Sequence, residues 1–192
     1  MTTCLRGYNL LNFSIMPKCV TNNVYKSLPF CPGQTRKPGM RKTAYFIQKS
    51  KIAEWPAATK GVISDDFTLA ADAHWYEIDM IPRRSSLQSA PQGEWPSRSY
   101  QVTAVVFVPD DGPDTEDFCN MALNEELVLL MPRKDGTLRL IGCEEEIIEV
   151  SPEGNAGSEA TDVMGETVTF QTTMDHKPYI YQGAVTLETV TP

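Results

Sequence analysis

Two histidines and five cysteines are the side chains of this sequence best suited to covalent catalysis. A cysteine becomes a strong nucleophile when a nearby histidine accepts its proton, so Cys119 or Cys143 beside His74 or His176 would form such a pair. The two histidines lie far apart in the chain, and no family signature surrounds either cysteine. The cysteines include no CxxC pair and match neither a zinc site nor a disulfide framework. We therefore interpret them as reduced thiols and predict that the chain is not an enzyme.

Two acidic runs could bind a cation, but their spacing argues against it. The run between Asp110 and Asp117 does not follow the spacing of a calcium-binding loop, and it fits a solvated turn that leads into a helix N-terminus. Glu144, Glu145 and Glu146 enter a predicted strand, where alternate side chains point to opposite faces and cannot share one ion. No glycine-rich phosphate loop is present. The sequence therefore predicts no metal site and no cofactor.

Charge is distributed unevenly along the chain. The net charge is −8, yet nine basic residues and no Asp or Glu precede Glu54. A basic segment before an acidic body suggests contact with an opposite charge elsewhere, and phosphates would be repelled by most of that body. We therefore favour contact with the acidic surface of a neighbouring copy over nucleic-acid binding, which remains the alternative. The predicted contacts between subunits are made by the most closely spaced bases, Arg36, Lys37, Arg41 and Lys42.

The basic segment belongs to a predicted N-terminal arm. Residues 1–40 have no sustained hydrophobic period and contain several Pro and Gly residues, which predicts an extended arm with few regular elements. From residue 41 onward the pattern becomes rich in β-formers, so residues 41–192 are predicted to form the folded domain. A chain of 192 residues with 41% hydrophobic residues can bury a core of its own. No apolar run approaches the roughly 18 residues of a membrane span, so we predict no membrane contact.

Three elements of the folded domain have strong sequence signals. Residues 100–108 are rich in Val and Phe and predict a strand in the middle of a sheet. Residues 126–131 and 137–142 flank Asp135-Gly136, which predicts a β-hairpin. Residues 114–123 predict a helix with Asp114 as the N-cap and with Phe118, Met121 and Ala122 buried.

Weaker patterns complete the domain. Short strands are predicted at residues 43–48, 67–69, 74–81, 146–150, 167–170, 179–181 and 184–190, and loops at 83–97 and 151–165. Several short strands with one helix predict a mainly β fold, namely an antiparallel β-sandwich or barrel with one flanking α-helix and an extended N-terminal arm.

Five segments resemble tail tube proteins of long-tailed phages and prophages of gut bacteria. The segments are KTAYFI (42–47), IAEWP (52–56), WYEID (75–79), KDGTLRLIG (134–142) and GETVTF (165–170). The resemblance covers about residues 38–183, and the stretch before Pro38 departs from it. It implies a β-barrel or sandwich subunit that forms rings, commonly hexamers, which stack into a hollow tube conducting DNA during ejection.

The resemblance also implies partners and a location. The partners would be further copies of the chain, other phage tail or connector proteins, and DNA that passes through the lumen without specific binding. The protein would be assembled in the bacterial host cytoplasm and reside in the virion. One alternative is a tail terminator or head-tail connector, which forms a single ring. A second is a monomeric β-sandwich that binds carbohydrate through exposed aromatics such as Trp55, Trp75 and Trp95.

Overall fold

The folded part of the chain begins a few residues before the predicted boundary. The structure, a computed structural model, describes residues 25–30, 32–33, 37–157 and 163–188. The chain divides into two units, Met1–Thr35 and Arg36–Pro192, and the described residues of the first unit form no helix or strand. Most of the predicted arm, residues 1–40, therefore lies outside the described residues. Met40 forms a β-bridge with Arg133 and packs against the core, so it belongs to the second unit.

Twelve strands and one α-helix make up the described part of the second unit. In chain order they are β1 (Thr43–Gln48), β2 (Ile52–Glu54), β3 (Val62–Ile63), β4 (Thr68–Leu69), β5 (Tyr76–Asp79), β6 (Ser86–Gln92), β7 (Ser99–Val108), α1 (Pro113–Ala122), β8 (Leu127–Pro132), β9 (Leu138–Ile141), β10 (Glu149–Asn155), β11 (Gly165–Met174) and β12 (Ile180–Tyr181). A 3-10 turn at Lys49–Lys51 joins the first two strands. Among the described helical segments, none is long and apolar enough to cross a membrane.

The strands form two main sheets that pack as a sandwich. A six-stranded sheet has the order β3-β12-β9-β8-β1-β5, a four-stranded sheet has the order β10-β11-β7-β6, and β2 pairs with β4 in a small third sheet. All pairs in the four-stranded sheet are antiparallel, and β12 with β3 is the one parallel pair among the named strands. The prediction of a mainly β sandwich is confirmed, whereas the sheets do not close into a barrel.

The six-stranded sheet is covered on both faces. Strand β8 is buried along its whole length, which explains its continuous apolar sequence. Leu129 and Met131 face the core between the two main sheets, while Val128 and Leu130 face a second core on the opposite side. The second core includes the largest fully buried side chain, Trp75, and it packs around Phe67 and Tyr181.

The predicted hairpin and the predicted central strand are confirmed. Strands β8 and β9 pair antiparallel around Asp135-Gly136, and Gly136 has a φ of +97° that other residues rarely adopt. The Asp135 carboxylate accepts hydrogen bonds from the backbone N–H (2.9 Å) and hydroxyl (2.6 Å) of Thr137. These two bonds lower the pKa of Asp135. Strand β7 has a neighbour on each side, as its composition predicted.

The helix forms where predicted, but its start and its buried face differ. Its N-cap is Gly112 and Pro113 occupies the first turn, because proline lacks the N–H that would be unpaired there and has a φ suited to a helix start. Cys119 and Ala122 are buried, whereas Met121 is 60% exposed. The predictions of Asp114 as the N-cap and of a buried Met121 were wrong.

Two strands lie in segments that the sequence predicted to be loops. Strand β6 runs through the predicted loop 83–97, and β10 extends from Glu149 into the predicted loop 151–165. The strand predicted at 184–190 is reduced to one bridge between Leu187 and Trp75, with residues 189–190 outside the described part. The two unpredicted strands form by pairing with a neighbouring strand, which local composition does not report.

Candidate assembly surfaces

Within the described part of the chain, the four-stranded sheet ends in two long strands that have no strand partner on their outer side. Strands β6 and β10 have seven residues each, whereas the edge strands of the six-stranded sheet, β3 and β5, have two and four. Among the described residues, no strand pairs with the outer side of β6 or β10. A long open edge presents backbone groups to which another chain can add.

A proline in each edge strand identifies which backbone groups point outward. Pro91 lies opposite Tyr100 and Pro152 lies opposite Val168. Because proline cannot donate to the ladder, both positions must be those whose backbone groups face the open edge. The two assignments are consistent. Val168, the partner of Pro152, pairs with Val106 on β7, which is an even number of residues from Tyr100, the partner of Pro91. Tyr100 and Val106 therefore point their backbone groups to the same side of β7, as both prolines require.

The backbone groups of successive residues in a strand point alternately to either side, so every second residue counted from the proline faces outward. On β6 the outward-facing groups are the N–H and C=O of Leu87 and Ser89, together with the C=O of Pro91. On β10 they are the N–H and C=O of Val150 and Gly154, together with the C=O of Pro152. Each edge therefore retains donors and acceptors, while its proline limits indiscriminate strand addition.

The outer face of the four-stranded sheet is mostly polar, and the Arg84 guanidinium lies over Phe107 at one end of it, 4.9 Å from the ring centre. Strands β6, β7, β10 and β11 contain no Lys or Arg. The register aligns Gln88, Thr103, Gln171 and Glu149 in one row across the face. The neighbouring row contains Val105, Thr169 and two serines. This surface offers hydroxyl, amide and carboxylate groups to solvent or to a passing polyanion.

An apolar groove lies beside the helix, at the β5 edge of the six-stranded sheet. Phe46 stacks on Tyr76 with 5.4 Å between ring centroids and packs against Phe118 at 5.0 Å. These rings and Met121 line a cavity of about 340 Å³. Tyr76 is 41% exposed and Met121 60% exposed, so this groove is the main apolar surface of the described helix.

The four arm residues predicted to contact another subunit have different environments. Arg36 lies outside the described residues, and Lys37 is exposed. The Arg41 guanidinium lies close to Gly136 in the hairpin turn. The Lys42 ammonium is 2.6 Å from the Asp79 carboxylate. That bond, with a second from the Thr43 hydroxyl, lowers the pKa of Asp79, so Lys42 already has a partner within its own chain.

The side chains considered for a Cys–His pair differ in their surroundings. Cys119 is buried in the core between the sheets. Burial, followed by the charges of Glu166 and Glu116, raises the pKa of the Cys119 thiol to about 11. His74 Nε2 is buried with its nearest carboxylate oxygen, on Glu188, 3.6 Å away. His176 stacks on Tyr179 at 3.7 Å between ring centroids. Cys119 is therefore held as a neutral thiol, which is a poor nucleophile.

The acidic runs are surface features of the described chain. The Asp110 carboxylate accepts a hydrogen bond from the Thr115 hydroxyl at 2.8 Å, across the start of α1. Within the described residues, no three His, Cys, Asp or Glu side chains converge as metal ligands would. Glu166 is an acidic residue that the sequence reasoning missed. It is 6% exposed, and burial and then the charges of Glu116 and Asp111 raise its pKa.

The tryptophans do not form an aromatic binding face. Trp75 is 1% exposed and packs edge-on against Phe67 in the second core. Trp55 is partly buried against the same ring. Trp95 is 82% exposed. The expectation that all three tryptophans would be exposed was wrong, because Trp75 is a core residue.

Comparisons with known proteins gave no match of any kind. No model of a protein family matched the chain, no curated protein matched it, and no solved structure matched it. The open strand edges and the polar face of the four-stranded sheet are therefore the features that bear on function.

Proposed function

We propose that this chain is a structural subunit that joins copies of itself edge to edge into a ring, and that the rings stack as a phage tail tube through which DNA passes. The observation that carries the proposal is the pair of long open edges, β6 and β10, on opposite sides of one antiparallel sheet. A ring made by rotation places β10 of one copy beside β6 of the next, and the two strands are then antiparallel. Each copy uses two different edges, so the contact repeats until the ring closes.

The outer face of the same sheet supports a channel role. When the edges join, the four-stranded sheets become one continuous wall with this face on one side. The face is polar and lacks Lys and Arg on all four strands. Strands without Lys or Arg offer few contacts to the DNA backbone, because contacts to phosphate supply most nonspecific affinity. Arg84, over Phe107, is a cation at one end of this face. DNA could therefore slide along this face.

The remaining surfaces fit contacts between rings. The apolar groove at Phe46, Tyr76 and Met121 would bury area against a neighbour, and exposed bases of the arm such as Lys37 would meet acidic surface on the next ring. In this proposal the protein is a virion component and its other partners are tail or connector proteins. A carbohydrate-binding module is less well supported, since Trp75 is buried.

The proposal is tested by closing one edge while leaving the fold intact. Ser89→Pro removes an N–H that points outward and is not used in the β6–β7 ladder, and Pro91 already occupies an equivalent position two residues later. Ser89→Ala is the matched control, because it keeps the N–H. The measurements are sedimentation velocity and negative-stain electron microscopy, with far-UV circular dichroism to check the fold.

The wild type and Ser89→Ala are expected to form rings or tubes, and Ser89→Pro to remain largely monomeric with an unchanged circular dichroism spectrum. Isolated rings that never stack would indicate a tail terminator or connector and not a tail tube. A wild type that stays monomeric at high concentration would overturn the proposal.

A further inference from the structure

A cavity with three cationic side chains lies beside the open edge of β6. We call it the basic cavity; it has a volume of about 340 Å³, and its charged side chains are Arg133, Arg139 and Lys177. Leu87 and Ser89 of the edge strand also line it. In a protein with a net charge of −8, three cations around one cavity at an open strand edge are an unusual concentration of positive charge.

The cations of the basic cavity are positioned but only partly neutralised. The Arg139 guanidinium donates a hydrogen bond to the Pro178 carbonyl at 3.0 Å, and the Lys177 ammonium lies 5.6 Å from the centre of the Tyr100 ring. Arg133 is 3.7 Å from the Asp135 carboxylate. No carboxylate of the described residues lies within the 4.0 Å salt-bridge limit of Arg139 or Lys177. Burial and then the charge of Arg133 lower the pKa of Arg139, as expected where like charges meet.

An acidic segment lies beside the other open edge. Glu144, Glu145 and Glu146, which we call the acidic loop, end two residues before β10. Glu145 and Glu146 line a groove of about 400 Å³ together with Glu149.

The nearest cation to the acidic loop is already engaged. The Lys49 ammonium is 3.4 Å from the Glu126 carboxylate and donates to the Glu146 backbone carbonyl at 3.1 Å. Among the described residues, none of the three carboxylates of the acidic loop forms a salt bridge. The loop therefore carries three exposed negative charges beside an open strand edge.

The two charged features lie at the same end of the four-stranded sheet but at opposite edges. Thr172 and Thr173, at the end of β11, line the acidic groove, and Lys177 follows the last residue of that strand, Met174, by three positions. Lys177 and Thr173 also share the level of Tyr100 and Gln101 on β7. Three strand spacings separate the edges, about 14 Å, so the acidic loop cannot pair with the basic cavity of its own chain.

We propose that the acidic loop of one copy binds the basic cavity of the next copy and sets the register of the β6–β10 contact. This inference rests on the proposed function, since it requires that contact to exist. Rotation into a ring brings the two features to the same end of the β6–β10 contact without a shift along the strands, because both lie at the same end of the sheet. Backbone hydrogen bonds alone specify register weakly at an edge that carries a proline. A charged pair at one end supplies the missing specificity.

Two variants with reversed charges test the inference. The acidic-loop variant carries Glu144→Lys, Glu145→Lys and Glu146→Lys; the cavity variant carries Arg133→Glu and Lys177→Glu and leaves the hydrogen-bonded Arg139 in place. Each variant alone presents like charges across the contact. A mixture presents opposite charges at both of its contacts, since the new lysines meet the new glutamates and the original loop meets the original cavity.

Assembly of each variant alone is expected to need more than about a 100-fold higher concentration than the wild type, because like charges across an interface cost several kcal/mol. An equimolar mixture is expected to recover assembly into rings that contain both variants in equal amounts. Lys51→Glu with Lys60→Glu is the matched control; it makes the same charge change as the cavity variant at exposed positions away from both edges, and it is expected to assemble like the wild type.

The outcomes separate this inference from the proposed function. A wild type that forms no rings contradicts the proposed function and the inference with it. Rings from the wild type and from each variant alone contradict only the inference, and so does a mixture that fails to assemble. Inorganic phosphate or duplex DNA that binds the wild-type cavity, is lost in the cavity variant and leaves assembly unchanged would also overturn it, because the cavity would then serve a different anion.

Discussion

The two main sheets share a core but differ in how many of their faces and edges are covered. The six-stranded sheet has a core on each side, and its edge strands have two and four residues. The four-stranded sheet has a core on one side, a polar face on the other and seven-residue edges. Short edges and covered faces resist the addition of another chain, whereas long open edges favour it. The difference indicates that one sheet stabilises the subunit and the other is suited to assembly.

The largest expected change in the free energy of unfolding is for a substitution in β8. Leu129 is fully buried between the sheets, so Leu129→Ala should lower the free energy of unfolding by about 2–5 kcal/mol. Thr169→Ala, on the outer face of β11, should change it by about 0.5 kcal/mol or less. Urea unfolding of the monomer measures both. Equal losses would show that the outer face is as important to the subunit as the core.

A smaller change in the free energy of unfolding is expected at Gly183, beside Tyr181 of the second core. A Cβ on Gly183 would lie 2.5 Å from the Tyr181 hydroxyl and 2.7 Å from the Asp66 carboxylate. That hydroxyl donates to the Ala184 carbonyl at 2.8 Å and cannot easily move. Gly183→Ala should therefore lower the free energy of unfolding by about 1–3 kcal/mol through overpacking.

The cost of Gly183→Ala should be partly relieved when Tyr181→Phe is also present. The hydroxyl is then gone, while the ring carbon that bore it and the Asp66 carboxylate remain, both 2.7 Å from the added Cβ. Unfolding of both single variants and the double variant measures this coupling. Strictly additive losses would place the strain on the Asp66 carboxylate or the Tyr181 ring carbon and not on the hydroxyl.

The smallest effect expected concerns Glu166, the buried acid at the start of β11. Because the pKa of Glu166 is raised, its protonated form favours the folded state. That stabilisation is complete below the ordinary pKa of Glu and is lost as the pH rises through the higher folded-state pKa. Glu166→Gln should then raise the Tm by about 2–4 °C at pH 7.

The gain from Glu166→Gln should disappear below about pH 4.3, where the carboxyl is protonated in both states. Thermal unfolding from pH 3 to pH 8 measures it. Glu94→Gln, at an exposed position in the turn after β6, is the control and should show a smaller pH dependence, since Glu94 is not among the charges that raise the pKa of Glu166. A Tm that falls at pH 7 in Glu166→Gln would mean that the ionised carboxylate is needed in the fold.

Elements with strong local patterns could be predicted from the sequence. Strand β7 and the β8–β9 hairpin have dense apolar residues or a turn signal within a few positions, and both form as predicted. Strand β6 is composed of Ser, Gln, Ala, Leu and Pro and has no such pattern. It becomes a strand because β7 offers it a ladder of hydrogen bonds, which is a property of the sheet and not of the segment.

The candidate site was harder to predict than the fold. The sequence predicted that basic residues before Glu54 contact another subunit, but one of them, Lys42, is paired with Asp79 inside its own chain. The bases that line the cavity come from β9, the residue after β8 and the turn after β11. Residues this far apart in the chain give no local signal when they converge.

The sequence by itself determined the mainly β character, the hairpin, the central strand and the uneven distribution of charge, because each depends on neighbouring residues or on simple counts. The tertiary structure alone decided that Trp75 is buried, that β6 and β10 are the open edges, and that a basic cavity and an acidic loop lie at the same end of one sheet. These features arise from pairing and packing between distant segments. Their energies depend on what surrounds each residue, which the order of residues along the chain does not display.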